Sequence, residues 1–217
     1  GGAAVRLVFG KRRSELNPHF CNLCDEASRR FPGGAEVEMA MLFADVRGST
    51  ALSESMSPTD FSRLINRFYT RSTKIITAAD GLVEKLAGDA VAAFWGAGFA
   101  GPDYVRRTVE VAQKLSETLA GEGIPAGIGV HWGVAFFGAM GTAEGLTDIS
   151  AIGDEVNVAA RIASKAAAGE VVVSEQALQK AGLDGSDLPG KSWEVRSLEL
   201  QGIREPVAVR VISGRGG

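Results

Sequence analysis

Two short acidic turns hold the residues best suited to do chemistry. FADVRGST, Phe43–Thr50, and KLAGDAVAAFWG, Lys85–Gly96, each set one aspartate where an apolar strand meets a glycine-containing bend. Two carboxylates so placed, Asp45 and Asp89, can hold two hard cations side by side, since magnesium-type ions combine carboxylate with phosphate oxygens. Such a pair of ions activates an attacking oxygen, binds phosphate oxygens and stabilises a leaving group. The chemistry indicated is substitution at the phosphorus of a nucleotide. One turn alone does not require it, because a single aspartate after a strand is ordinarily a turn or cap residue.

The turns have partners downstream. TDISAIGDEVNVAARIAS, Thr147–Ser164, places Asn157 and Arg161 four residues apart on a predicted helix, and therefore on one face. An amide and a guanidinium there can orient a ribose and stabilise charge on a phosphate undergoing substitution. GIGVHWGVAFFGAMG, Gly127–Gly141, is a glycine-rich strand that tolerates close backbone approach. It lacks the Gly-Lys-Ser/Thr ending of a phosphate loop and is not a Rossmann fingerprint. Taken singly, several residues have plainer readings. Lys85 is a solvated strand lysine, and His131 is a structural histidine in an apolar strand. Asp148, Asp154 and Glu155 cap or solvate the helix that begins near Gly153. Trp95, Phe136 and Phe137 belong to core or dimer surface.

These residues need a scaffold, and the hydrophobic pattern supplies one. Val37–Asp45 reads as a strand ending at the first aspartate. Thr59–Ala79, started by Ser57-Pro58, has apolar residues at helical spacing. Leu82–Leu86 and Ala90–Trp95 flank Ala87-Gly88-Asp89 as a hairpin. Tyr104–Leu119 is a second amphipathic helix, with Val105, Val109, Ala112, Leu115 and Leu119 on one face. Ala126–Phe137 is one strand or a bulged pair, Gly153–Ala167 a helix and Glu170–Val173 a short strand. Ser192–Leu200 and Pro206–Ile212 form a closing hairpin across Gly202. The order β-α-β-β-α-β predicts an α/β (α+β) sandwich: a ferredoxin-like palm with an antiparallel sheet, helices packed on it and a C-terminal hairpin.

The 217 residues suit one compact domain, expected over 35–217, plus an N-terminal extension over 1–34. With 45% hydrophobic and 23% charged residues and a formal net charge of −3, there is no broad basic field for nucleic acid. No apolar run is long enough to span a bilayer and no secretory signal is visible, so the expected location is cytoplasmic. The Gly1–Gly2 start lacks a methionine, which leads us to expect an upstream regulatory domain. The extension carries Cys21 and Cys24 as a Cys-x-x-Cys, either a zinc or redox site or two ordinary thiols packing a short helix near Cys24–Arg30. One pair is half of a Cys₄ zinc site, which a second copy or His19 can complete. Asp25 stands where a c-type haem site needs histidine.

Taken together, FADVRGST, the Lys85…Gly88-Asp89 hairpin, GIGVHWG, IGDEVNVAAR and LQGIREPV closely resemble the class III nucleotidyl cyclase catalytic domain, from about Glu36 to Ile212. The resemblance implies conversion of a nucleoside triphosphate to a 3′,5′-cyclic nucleotide and pyrophosphate, with two Mg2+ or Mn2+ ions per site. It also implies a homodimer with sites at the subunit interface. Asp45 and Asp89, with Val46 beside them, match the metal positions. Gly48, Ser49 and Thr50 are substrate-binding positions in the same turn. Lys85 and Ser150 match the pair that reads the purine, Asn157 and Arg161 the pair that positions ribose and stabilises the transition state. Arg204, after Gly202, is the candidate to face the triphosphate. Adenylyl cyclases commonly carry aspartate or threonine where Ser150 stands, and guanylyl cyclases a glutamate–cysteine pair at the two purine positions. Lys85 argues against the latter, so ATP is the expected substrate. The alternatives are a guanylyl cyclase or a catalytically inactive nucleotide-sensing module. A diguanylate cyclase is disfavoured because its Glu-Phe turn ending is missing.

Overall fold

The longest pairing in the protein joins its two longest strands. A computed structural model describes residues 33–141, 147–184 and 193–213. The Cys21/Cys24 motif and the predicted Cys24–Arg30 helix lie outside the described residues. Strand β1 (Gly33–Val46) runs antiparallel to β4 (Ala126–Gly141), in register from Gly33 opposite Ala139 to Val46 opposite Ala126. On the other side of β1 lies β3 (Ala90–Trp95), itself paired to β2 (Leu82–Ala87). The order β2-β3-β1-β4 is that of the ferredoxin-like palm predicted from the pattern.

Residues of β1 alternate between two buried clusters, as period-2 geometry requires of a strand covered on both faces. Ala40, Leu42, Ala44 and Val46 join the main core, whereas Met39 and Met41 pack in a second cluster. Helices α2 (Pro58–Ala78) and α4 (Tyr104–Gly121) cover the main-core side. Helix α2 starts where Ser57 accepts a hydrogen bond from the Asp60 backbone N–H (3.1 Å), with Pro58 in the first turn. Leu64, Ile65, Phe68 and Ile76 form its inward stripe. The fully buried Trp95 joins this core, and its indole N–H donates to the Ala79 carbonyl at 2.9 Å.

Helix α5 (Asp154–Lys165) covers the second face and meets the glycine-rich strand. A Cβ on Gly129 would lie 2.4 Å from the Ala163 nitrogen, so only glycine admits the helix this closely. Beyond β4 come β6 (Glu170–Ser174), parallel to it, and then the closing hairpin of β7 (Trp193–Leu198) and β8 (Val207–Ser213). The hairpin supplies Val209 and Val211 to the cluster beneath Val158 and Ile162 of α5.

The sequence pattern misses several elements. Strand β1 begins four residues before the expected Val37, and β4 is one continuous strand reaching Gly141. Strand β5 (Thr147–Ile152) pairs with the second half of β4. Three short helices, α1 (Ser49–Ser55), α3 (Ala97–Ala100) and α6 (Glu175–Ala181), were not expected. Each is too short to display a hydrophobic period. Among the described residues no helix is long and apolar enough to cross a membrane.

The contact at Gly129 is testable. Gly129→Val should lower the urea unfolding midpoint, with an overpacking cost of about 1–3 kcal/mol or more. Gly121→Ala is the control, because its Cβ meets nothing within 4 Å; its midpoint should stay level or rise.

Candidate active site

The acidic turns lie side by side because the backbone ties them together. Gly88–Asp89 is the two-residue loop of the β2–β3 hairpin, with positive φ at Gly88 (62°) and not at Asp89, the pattern of a II′ turn. The Val46 N–H donates to the Asp89 carbonyl at 3.0 Å, and the Tyr69 hydroxyl of α2 donates to the Gly88 carbonyl at 2.7 Å. Asp45, in register between Ala90 and Gly127, is thereby held against Asp89. Burial raises the Asp45 pKa above the usual carboxylate value, and the negative charge of Asp89 raises it further. Asp45 Oδ1 is buried and has no hydrogen-bond partner among the described residues.

Arg47 offsets the charge of this pair only in part, and its positive charge pulls the Asp45 pKa back down against burial and Asp89. Its guanidinium is 3.6 Å from Asp45 Oδ2, but it donates to the carbonyls of Ala163 (2.7 Å) and Ser164 (3.3 Å) at the end of α5. There it caps the helix and meets the negative end of its dipole. An orphaned carboxylate oxygen facing a second carboxylate suits a divalent cation. Among the described residues no group of three or more His, Cys, Asp or Glu gathers to complete a protein cage. The pair therefore suits ions that also take oxygens from a substrate. Val46 spends its N–H on the hairpin, and Gly48, in the left-handed region, opens α1 with Ser49 and Thr50 in its first turn.

The predicted purine-reading pair is joined by a residue that sequence reasoning missed. In β2, Val83 pairs with Ala93 and Lys85 with Ala92, leaving Glu84 as the extra residue of a bulge. Ala92 and Ala93 point to opposite faces, so Val83 and Lys85 do as well, and Glu84 stands between them in the bulge. Ser150, on β5, donates its hydroxyl to Glu84 Oε1 at 2.7 Å. The sequence signal for Glu84 was only its adjacency to Lys85.

Asn157 and Arg161 do share one face of α5, as predicted. That face lies opposite the buried Val158, Ala159, Ile162 and Ala163. Asn157 is exposed and Arg161 half-buried, with its guanidinium against the Gly202 turn. Arg204 and Lys165 line a cleft of about 460 Å3 beside that turn. Among the described residues no hydrogen bond or ion pair connects Asp45 or Asp89 to Lys85, Ser150, Asn157, Arg161 or Arg204. The candidate residues thus form separate sets on one chain.

His131 is structural, as expected, being 1% exposed. It lies within hydrogen-bonding distance of Glu155 through Nε2 (2.6 Å) and of Ser174 Oγ through Nδ1 (2.8 Å). A carboxylate accepts, so Nε2 carries the proton and Nδ1 accepts from Ser174. Burial lowers the His131 pKa, against the opposing pull of Glu155. Glu155 therefore spends its carboxylate on His131, and Gly153 caps α5 without a side-chain bond.

A raised carboxylate pKa has a defined effect on stability. The folded chain holds the Asp45 proton more tightly than the unfolded chain, so stability falls as pH rises through the folded pKa. In metal-free protein, Asp45→Asn should flatten that dependence and leave the melting temperature at pH 7 equal to or above wild type. Calorimetric scans from acid to neutral pH measure it.

Residues 35–195 match the adenylate and guanylate cyclase catalytic domain family. An uncharacterized Mycobacterium tuberculosis protein is 32% identical over 188 residues, covering 84% of this chain and 34% of that protein. An adenylate cyclase from Anabaena cylindrica is 30% identical over 181 residues, covering 74% of this chain and 36% of the relative. The crystal structure of the guanylyl cyclase Cya2 superposes with a TM-score of 0.69 at 25% identity, over 84% of this chain and 96% of that one. The chain spans about a third of the length of these two curated relatives. With the match covering most of the chain and the palm-like sheet, the chain belongs to the class III adenylate and guanylate cyclase catalytic domain family.

Proposed function

We propose that this domain is an adenylyl cyclase that converts ATP to 3′,5′-cyclic AMP and pyrophosphate in sites shared by two copies of the chain. The observation that carries the reading is the buried, unpartnered Asp45 oxygen held against Asp89 in a member of this family. When bound there, two Mg2+ or Mn2+ ions would lower the pKa of the ribose 3′-hydroxyl and offset charge on the phosphates.

The reaction is an in-line substitution. The ribose 3′-oxygen bonds to the α-phosphorus, the bond from that phosphorus to the bridging β-phosphate oxygen breaks, and pyrophosphate leaves. The hydroxyl proton passes to substrate or water, so no protein general base is needed. Asn157 orients the ribose, and Arg161 places positive charge where the transferring phosphate gains negative charge. Arg204 offers a cation to the triphosphate. Lys85 donates to an adenine ring nitrogen, and Ser150 accepts from the exocyclic amine. The adenylate cyclase relative and the Lys85–Ser150 pair favour ATP. Product analysis with ATP and GTP, each with magnesium and manganese, tests the choice. GTP as the better substrate would refute it.

The shared site rests on placement. Asn157 and Arg161 project from α5 away from the core. Val134 (49% exposed) and Ile152 (54%) leave an apolar surface beside Phe136 that a second copy can cover.

Asp45→Asn and Asp89→Asn should each reduce turnover about a hundredfold or more, because the ions supply several kcal/mol of transition-state stabilisation. Near-normal rates in either purified variant would remove the metal assignment. Mixing Asp45→Asn chains with Asn157→Ala chains, each inactive alone, should restore part of the activity, since one site of the heterodimer is then intact. Demonstrated heterodimers without recovery would contradict shared sites.

A further inference from the structure

We propose that Glu84 is a positioning residue for base selection: it takes the Ser150 hydroxyl proton and so presents Ser150 to the purine only as an acceptor. The inference rests on the reading of Lys85 and Ser150 as the base-facing pair.

A serine hydroxyl is ambivalent. It has one proton to donate and two lone pairs with which to accept. Left free, it can accept from the 6-amino group of adenine or donate to the 6-oxo group of guanine, and it separates them poorly. Ser150 is not left free. Its Oγ lies 2.7 Å from Glu84 Oε1, and its second neighbour, at 3.5 Å, is the Ala151 carbonyl. Both are acceptors, so the single proton is committed to the protein. The stronger bond is the shorter one, because its acceptor is a carboxylate. What remains for a ligand is lone-pair density.

The bulge makes this arrangement local. Without the extra residue, alternation would place Glu84 and Lys85 on opposite faces. With it, Glu84 is free of the ladder's alternation, and a carboxylate bonded to Ser150 stands next in the chain to the lysine of the same pair. A 6-oxo purine could be accepted only by withdrawing the Ser150 proton from Glu84, which leaves that carboxylate without its donor. A 6-amino purine meets an acceptor already set.

The test compares ATP with inosine triphosphate, which replaces the 6-amino group by an oxo group and, unlike GTP, adds no 2-amino group. Wild type should favour ATP in kcat/KM. Glu84→Leu frees the Ser150 proton and should reduce the ATP-to-ITP ratio about tenfold, the size of one hydrogen bond. In a Ser150→Ala background the same change should leave the ratio unmoved, since the two residues act as one unit. Glu84→Ala serves if Glu84→Leu does not fold. Binding of the 3′-deoxy triphosphates, which cannot cyclise, gives the same ratio without turnover.

An unchanged ratio in Glu84→Leu, where Ser150→Ala does change it, would overturn the role of Glu84 alone. Equal shifts in both backgrounds would also overturn it, because Glu84 would then act independently of Ser150. No effect of Ser150→Ala would instead show that the underlying base-reading assignment fails, and the Glu84 role with it. A wild type that prefers the 6-oxo base and loses that preference in Glu84→Leu would make Glu84 itself the base contact, again against the proposal.

Discussion

The full-length antiparallel pairing of β1 with β4 is the constraint on which the rest depends. It fixes Asp45 opposite Gly127 at one end and Gly34 opposite Gly138 at the other. At the first end, β3 adds to β1 and its hairpin brings Asp89 to Asp45. At the second end, β5 adds to β4 and carries Ser150, opposite Gly138. One ladder therefore sets the places of the acidic pair and of Ser150. A slip of one residue would turn every β1 side chain to the other face and take Asp45 away from its partner.

Helix α5 is the second organising element, and its two sides have different tasks. Ala159 and Ala163 allow it to sit directly on the glycine-rich strand, while Val158 and Ile162 rest on the closing hairpin. This seating leaves Asn157 and Arg161 on the outer surface. Arg47, from the acidic turn, bonds the helix's last carbonyls. The carboxylate end of β1 and the carboxyl end of α5 are thus tied to each other. His131 braces the opposite end of the helix through Glu155, and Ser174 supports His131 while capping α6. A buried histidine with both ring nitrogens engaged is well suited to hold a position and poorly placed to exchange protons with a substrate.

Electrostatics explains why the acidic pair stands out from other surface carboxylates. Several other acidic groups are matched: Glu170 and Glu194 share Arg196, Glu175 meets Arg210, and Glu38 meets Lys180, which lies over the Trp132 ring. Asp45 and Asp89 are matched only in part: Arg47 stands 3.6 Å from Asp45 Oδ2 while its hydrogen bonds go to helix carbonyls, and one guanidinium faces two carboxylates. Folding alone does not favour two close, half-buried carboxylates.

Much of this was legible in the sequence. The two aspartates, the helical spacing of Asn157 and Arg161, the palm order and the closing hairpin all follow from short-range patterns, because side-chain period and turn chemistry are local properties. Sequence also gave a structural reading of His131, though not its bonds to Glu155 and Ser174. What lay out of reach was set by contacts between segments far apart in the chain. The strand β5 is six residues long and looks like the lead-in to a helix until β4 offers it an edge. Arg47 reads as one more turn residue until α5 ends above it. Glu84 carries no signal beyond its place next to Lys85 until Ser150, 66 positions later, arrives to donate to it. Local sequence fixes which groups a chain carries and the period on which they repeat. Only the tertiary pairing of strands decides which of them meet, because a hydrogen bond's direction depends on both partners at once.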